Sequence, residues 1–269
     1  MTQQAKQIHT PDWTRDPFFR VNQSKAATTE GDVELPILYF DTSNTLAFFT
    51  ASHKAARALL QGTGLKPAVR LGGQTLVGMS FYEYRQTSVG AYNEVGLAIP
   101  VVGQKDKRII HRMTDLLRPA ERRDMAFYVV DLPVTTELAN AAGRQIWGYP
   151  KFVTAIDYGM KRGRLAMAVH DPEDDTTICT LEGRTLPGLP TPPLDLVTYT
   201  MLDQERLRTE VNVRGWMKAR LPVNARLRVG KSRHHMAEHL RALELDGKRP
   251  LFIMDTDHFQ SRLNRGVPG

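Results

Sequence analysis

From residue 34 onward the chain alternates short apolar runs with turns built from Gly, Pro, Asp and Asn. Runs over 34–40, 68–71, 75–84, 92–102 and 125–132 are rich in Val, Ile, Thr, Tyr and Phe, and predict strands. Their alternation of apolar and polar positions is imperfect, as expected for strands buried on both faces. Further strands are predicted over 152–158, 165–170, 176–181, 207–213 and 225–229. Three stretches read as helices instead. Ser52 can cap a short one over 53–60, closed by Gly62 and Gly64. Thr135 can cap a second, with Glu137 in its first turn and Leu138, Ala141, Ala142 and Ile146 along one face; Gly148 and Pro150 end it. A third is predicted over 233–245, stopping at Asp246 and Gly247. The Pro-rich segment 187–194 cannot be a central strand. Residues 1–31 are polar and aperiodic and read as an extended arm, leaving 32–265 as one domain. Many strands, few helices and no regular βαβ alternation predict an α+β fold with a mainly antiparallel barrel or sheet.

A chain of 269 residues with 41% hydrophobic residues can bury a sizeable core. Its formal net charge of +7 could suit nucleic acid or an anionic substrate, but net charge speaks to steering rather than fold. The most basic stretch, 105–124, places Ile109, Ile110, Met113, Leu116 and Leu117 at helical spacing. Without interleaved aromatics it reads as a solvated amphipathic insertion rather than a phosphate-binding helix, so nucleic acid is not the expected partner. Cys179 is the single cysteine, which excludes an intrachain disulfide and suits a reducing interior. No run of about 18 apolar residues suggests a membrane span, and the N-terminus lacks a secretory pattern. These features predict a soluble cytoplasmic protein.

The stretch with most chemical content runs from Gly143 to Phe152. It holds Lys151 where a helix meets a strand, after a Gly-Tyr-Pro turn and among Trp147, Tyr149 and Phe152. Lysine is ordinarily a solvated surface residue. A free lysine with pKa near 10.4 is only about 0.04% neutral at pH 7, a deficit of about 4.6 kcal/mol for a nucleophile. Desolvation among aromatic neighbours favours the neutral amine. A second stretch, Tyr92-Asn93-Glu94-Val95-Gly96, places a carboxylate at the head of an apolar strand. Facing outward it is a strand-edge charge; facing inward it can move a proton or hold a substrate hydroxyl.

The sequence YNEVGLAIPV followed by GRQIWGYPKF resembles the acetoacetate decarboxylase family, most clearly over 34–159, with a further likeness in the closing segment 249–263. The resemblance implies a closed, cone-like antiparallel barrel with surrounding sheet and helices, homo-oligomeric assembly and no cofactor. It also implies that Lys151 forms a Schiff base with a small keto acid and that Glu94 is the pocket carboxylate. Tyr92, Arg144, Gln145, Trp147, Tyr149 and Phe152 are then candidates for contacting substrate.

The chain also departs from the family pattern. Phe152 stands where the decarboxylases carry a second lysine, so activation of Lys151 is expected from desolvation rather than from a cationic neighbour. The region of Gly31, Asp32 and Val33 lacks the arginine suited to a substrate carboxylate, and a further family glutamate falls near Met79. Arg85, Arg144 and Gln145 are candidates to hold a carboxylate instead, although Arg144 could equally tie down its own loop. The expected activity is that of a decarboxylase-like carbon–carbon lyase. The alternatives are a pyruvate-type aldolase or dehydratase using the same imine, or a non-catalytic small-molecule or nucleic-acid binding protein on the same barrel. His235 and His239, four residues apart on the last helix, lack a third ligand at suitable spacing, so no metal site is expected. Trp216 and Phe259 are expected in the core or at a subunit contact.

Overall fold

The computed structural model describes residues 12–106, 115, 118–174, 176–193 and 195–269. Most of the basic stretch over 105–124, including its apolar positions, lies outside the described residues.

Seven strands close a barrel, numbered here in chain order: β1 (Ile37–Ser52), β2 (Gln74–Thr87), β3 (Tyr92–Gly103), β4 (Ala126–Val134), β5 (Leu196–Leu202), β6 (Glu205–Arg214) and β7 (Phe252–Leu263). Neighbours in sequence pair antiparallel from β1 to β4 and from β5 to β6, β6 pairs with β7, and β7 returns to β1. The exception is β4 with β5, which is parallel, so the barrel is mixed rather than wholly antiparallel. Strands β5 and β7 are not among the predicted runs, although Leu196–Leu202 is rich in Val, Thr and Tyr, and both are needed to close the barrel.

Helix α1 (His53–Leu59) continues directly from β1, and helix α2 (Glu137–Trp147) follows β4. After α2 a short strand, Lys151–Val153, runs parallel to the C-terminal half of β4, with Leu132 opposite Lys151. The same edge of β4 therefore serves two partners: β5 near Phe127 and Tyr128, and the Lys151 strand from Leu132 to Val134. This single β–α–β step brings Lys151 to the barrel wall.

A second sheet contains Arg164–His170, Thr177–Arg184 and Arg226–Val229, with two short strands at its edge. Its inner face packs Leu165, Met167, Ile178 and Leu181 against Phe49, Met79, Phe81 and Leu97 from the outer face of the barrel. Helix α3 (His235–Ala242) adds Met236, Ala237 and Leu240 to this core. Burying such side chains contributes about 1.5–3 kcal/mol each. The barrel strands are thus covered on both faces, which explains their imperfect alternation. Among the described part of the N-terminal arm, Trp13 stacks on Phe40 and Asp16 pairs with Arg214, so the arm lies on its own barrel.

Candidate active site

The barrel encloses a cavity of about 130 Å³. It exists because inward positions of β2 and β3 are small where they face each other. Gly78 is opposite Ala98 and Ser80 is opposite Gly96. At Gly96 even a Cβ would come within 2.6 Å of the Ser80 hydroxyl. Further along the same face the pairs become large, Tyr82 with Glu94 and Tyr84 with Tyr92. These close one end, and Tyr39 and Tyr149 line the cavity beside them.

Glu94 and Lys151 meet in this cavity. Lys151 Nζ donates to Glu94 Oε2 at 2.7 Å, and both side chains are buried, with 5% and 9% of their surface exposed. The Tyr84 hydroxyl donates to Glu94 Oε1 at 3.2 Å. Tyr39 and Tyr92 share a hydroxyl contact of 3.2 Å, and the Lys151 ammonium lies 5.8 Å from the centroid of the Tyr92 ring. Burial, reinforced by the nearby Glu94 charge, raises the Tyr39, Tyr82 and Tyr84 phenols well above their ordinary value; burial also pushes Tyr149 up to about 12. At neutral pH these groups are hydrogen-bonding O–H groups and carry no charge.

Local sequence places the lysine. Gly148 ends α2 in the left-handed region (φ 65°), where its backbone N–H caps Arg144 O, and a Cβ there would lie 2.2 Å from Met201 O. The Tyr149 N–H returns to Gly143 O at 3.0 Å, and Trp147 anchors the turn by donating to Asn264 O at 2.8 Å. The Lys151 side chain then runs back along α2 at Gly143.

The candidate residues separate clearly. Glu94, Lys151 and Tyr149 line the cavity, and Tyr92 is buried beside it. Arg85 follows Tyr84 on β2 and so faces the opposite side, where it pairs with Asp41 and Glu83. Arg144 donates to Lys151 O at 2.9 Å and braces the loop. Gln145 holds Thr29 of the N-terminal arm. Trp147 is fully buried beneath the turn. Phe152 alternates away from Lys151 and packs on His234 at 4.2 Å between ring centroids. Met79 points outward into the core between barrel and second sheet. Phe259 lines the cavity, whereas Trp216 is 69% exposed.

Tyr39, Tyr82 and Tyr84 escaped the sequence reading. The available signal was parity: Ser80, Tyr82 and Tyr84 share a face of β2, as Glu94 and Gly96 do on β3.

His235 and His239 flank Asp131 on the far side of β4, at 3.2 and 2.9 Å. The register shift opposite Leu97 and Ala98 lets Val130 and Asp131 both face outward while Val129 and Leu132 face the cavity. Among the described residues no group of three or more His, Cys, Asp or Glu could hold a metal ion.

Comparison with known proteins agrees with this architecture. The family model described as acetoacetate decarboxylase matches residues 25–203. A solved acetoacetate decarboxylase superposes with a TM-score of 0.59 at 16% identity, covering 87% of this chain and 89% of that one. The acetoacetate decarboxylase from Legionella pneumophila gives 0.58 at 14% identity, covering 99% and 98%. The enduracididine biosynthesis enzyme MppR, solved with the condensation product of pyruvate and imidazole 4-carboxaldehyde, gives 0.62 at 12% identity, covering 87% and 89%. No curated protein sequence matches the chain significantly.

Proposed function

The chain belongs to the acetoacetate decarboxylase family, and from that premise we propose that it is a carbon–carbon lyase forming an imine between Lys151 and the keto group of a small substrate. The observation that carries this reading is the buried contact of 2.7 Å between Lys151 Nζ and Glu94 Oε2 inside the barrel cavity.

The pair suits the proton traffic of imine formation. Glu94 accepts a proton from the Lys151 ammonium, and the neutral amine attacks the keto carbon. The same carboxyl group then delivers its proton to the carbinolamine hydroxyl, which leaves as water. The product is a protonated imine facing the Glu94 carboxylate, so the charge balance of the site is unchanged. Tyr84, bonded to the other oxygen of Glu94, holds the carboxylate in place. The imine is the electron sink for breaking a bond at the neighbouring carbon, and this reading calls for no cofactor.

From this imine two routes are open, both through an enamine. Loss of carbon dioxide from a keto acid gives the decarboxylase form of the reaction. Addition to an aldehyde, or its reverse, gives the aldolase form, for which the condensation product bound by MppR supplies a parallel. One observation favours the second route for a substrate without a carboxylate: neither Arg85 nor Arg144 reaches the cavity to hold one. Assembly as a homo-oligomer belongs to the same proposal, supported by the exposed apolar surface of Trp216 and Leu189.

Borohydride reduction in the presence of a panel of keto compounds, followed by mass spectrometry, tests the imine. A covalent adduct on Lys151 is expected, absent from a folded Lys151→Met variant. Adducts confined to other lysines, or none across the panel, would sink the proposal.

A further inference from the structure

We infer that the substrate of this site is uncharged: a β-hydroxy ketone, or the ketone and aldehyde that form it, bearing an aryl or branched alkyl group and no carboxylate. This rests on the imine reading above and adds the substrate class to it.

The first ground is a count of charges. Among the described residues that line the cavity, Lys151 is the only cation and Glu94 the only anion, and they already neutralise each other. A substrate carboxylate would set two carboxylates against one ammonium in a space lined by Leu132, Val129 and Leu263. Imine formation does not relieve this, because the iminium merely replaces the ammonium opposite Glu94. A buried charge without its own partner is strongly disfavoured. An uncharged carbonyl compound leaves the site neutral at every stage.

The second ground is the wall itself. Tyr82 stacks on Tyr84 with centroids 5.1 Å apart and meets Phe259 at 5.8 Å, while Phe127 and Tyr149 line the cavity too. The phenols remain protonated, so they add no charge of either sign. Their rings favour an apolar or aromatic substituent.

The chemistry balances with the groups present. Lys151 condenses with the ketone and releases one water. Glu94 takes the proton of the β-hydroxyl group as the bond between the α and β carbons breaks. The electron pair of that bond passes into the enamine, and an aldehyde leaves. The proton on Glu94 returns to the α carbon, and one water hydrolyses the iminium to free the ketone and Lys151. The net change is one β-hydroxy ketone to one ketone and one aldehyde.

Levulinate and its methyl ester provide a test, since they share the keto group and differ in charge. Borohydride trapping on wild-type protein is titrated with each, with Lys151→Met as control. The ester is expected to label Lys151 at concentrations about 100-fold lower than the acid, because an unpaired buried charge is disfavoured. Labelling by levulinate at equal or lower concentration overturns the inference and leaves the imine reading standing. No label from either overturns both. In parallel, the aldol of acetone and benzaldehyde is expected to release benzaldehyde with wild type and not with Lys151→Met. Absence of release overturns the aldol assignment, as does carbon dioxide release from acetoacetate at an enzymic rate.

Discussion

The stem of Lys151 lies against the backbone of Gly143, one turn before the end of α2. A Cβ at residue 143 would stand 2.4 Å from Lys151 Cδ and 2.5 Å from Cε. The glycine is therefore what lets the lysine pass the helix and reach Glu94. This relationship links a residue with no chemistry of its own to the aim of the reactive amine.

Gly143→Ala is accordingly expected to displace Lys151. Misplacement of a reactive group by about 1 Å can cost about 100-fold in rate, and overpacking a dense site costs about 1–3 kcal/mol. Borohydride trapping should slow by about that rate factor, while thermal unfolding shows a modest loss. Trapping at the wild-type rate would show that the helix gives way instead.

Glu94→Gln keeps the shape of the side chain and removes its ability to carry a proton. Turnover is expected to fall about 100-fold or more, with the Lys151 adduct still detectable after long incubation. Turnover within a few-fold of wild type would assign Glu94 to holding the cavity together.

Stability should depend on pH through Asp131. The hydrogen bond to Asp131 raises the pKa of His239, opposed by partial burial. A raised histidine pKa contributes stability that is complete below the unfolded value, near 6.5, and is lost as pH rises through the folded one. For Asp131, burial acts to raise the pKa, but hydrogen bonds from His235 and His239 outweigh it and the net shift is downward. Its contribution is present above the ordinary value of 3.8 and lost as pH falls through the folded pKa. The contact between α3 and β4 is thus expected to be strongest between these limits. Asp131→Asn should lower the melting temperature most near pH 6, with the gap to wild type narrowing towards pH 9. A gap independent of pH would mean that apolar packing alone anchors α3.

Much of this protein could be read locally. The helices α1 and α2 and the strands β2, β3 and β4 lie within a few residues of where spacing and caps predicted them. The lysine and glutamate motifs, 57 residues apart, also stand out in the chain, and the structure brings them into contact. Both depend on short-range signals: a glycine that must adopt a left-handed turn, a helix with one apolar face, a charge inside an apolar strand.

Tertiary structure alone decided how the barrel closes and which face of each strand looks inward. Strands β5 and β7, which the sequence reading passed over, find their places only where β4 and β1 offer them an edge, because a strand acquires its hydrogen bonds from its neighbours. The register shift in β4 turns Asp131 outward and leaves Leu132 in the cavity. Parity along β2 sends Tyr82 and Tyr84 to Glu94 and Arg85 to Asp41. In strands buried on both faces, residue type does not reveal which side is inside. A shift of one residue in register exchanges the two faces, and that choice is made by pairing across the whole barrel.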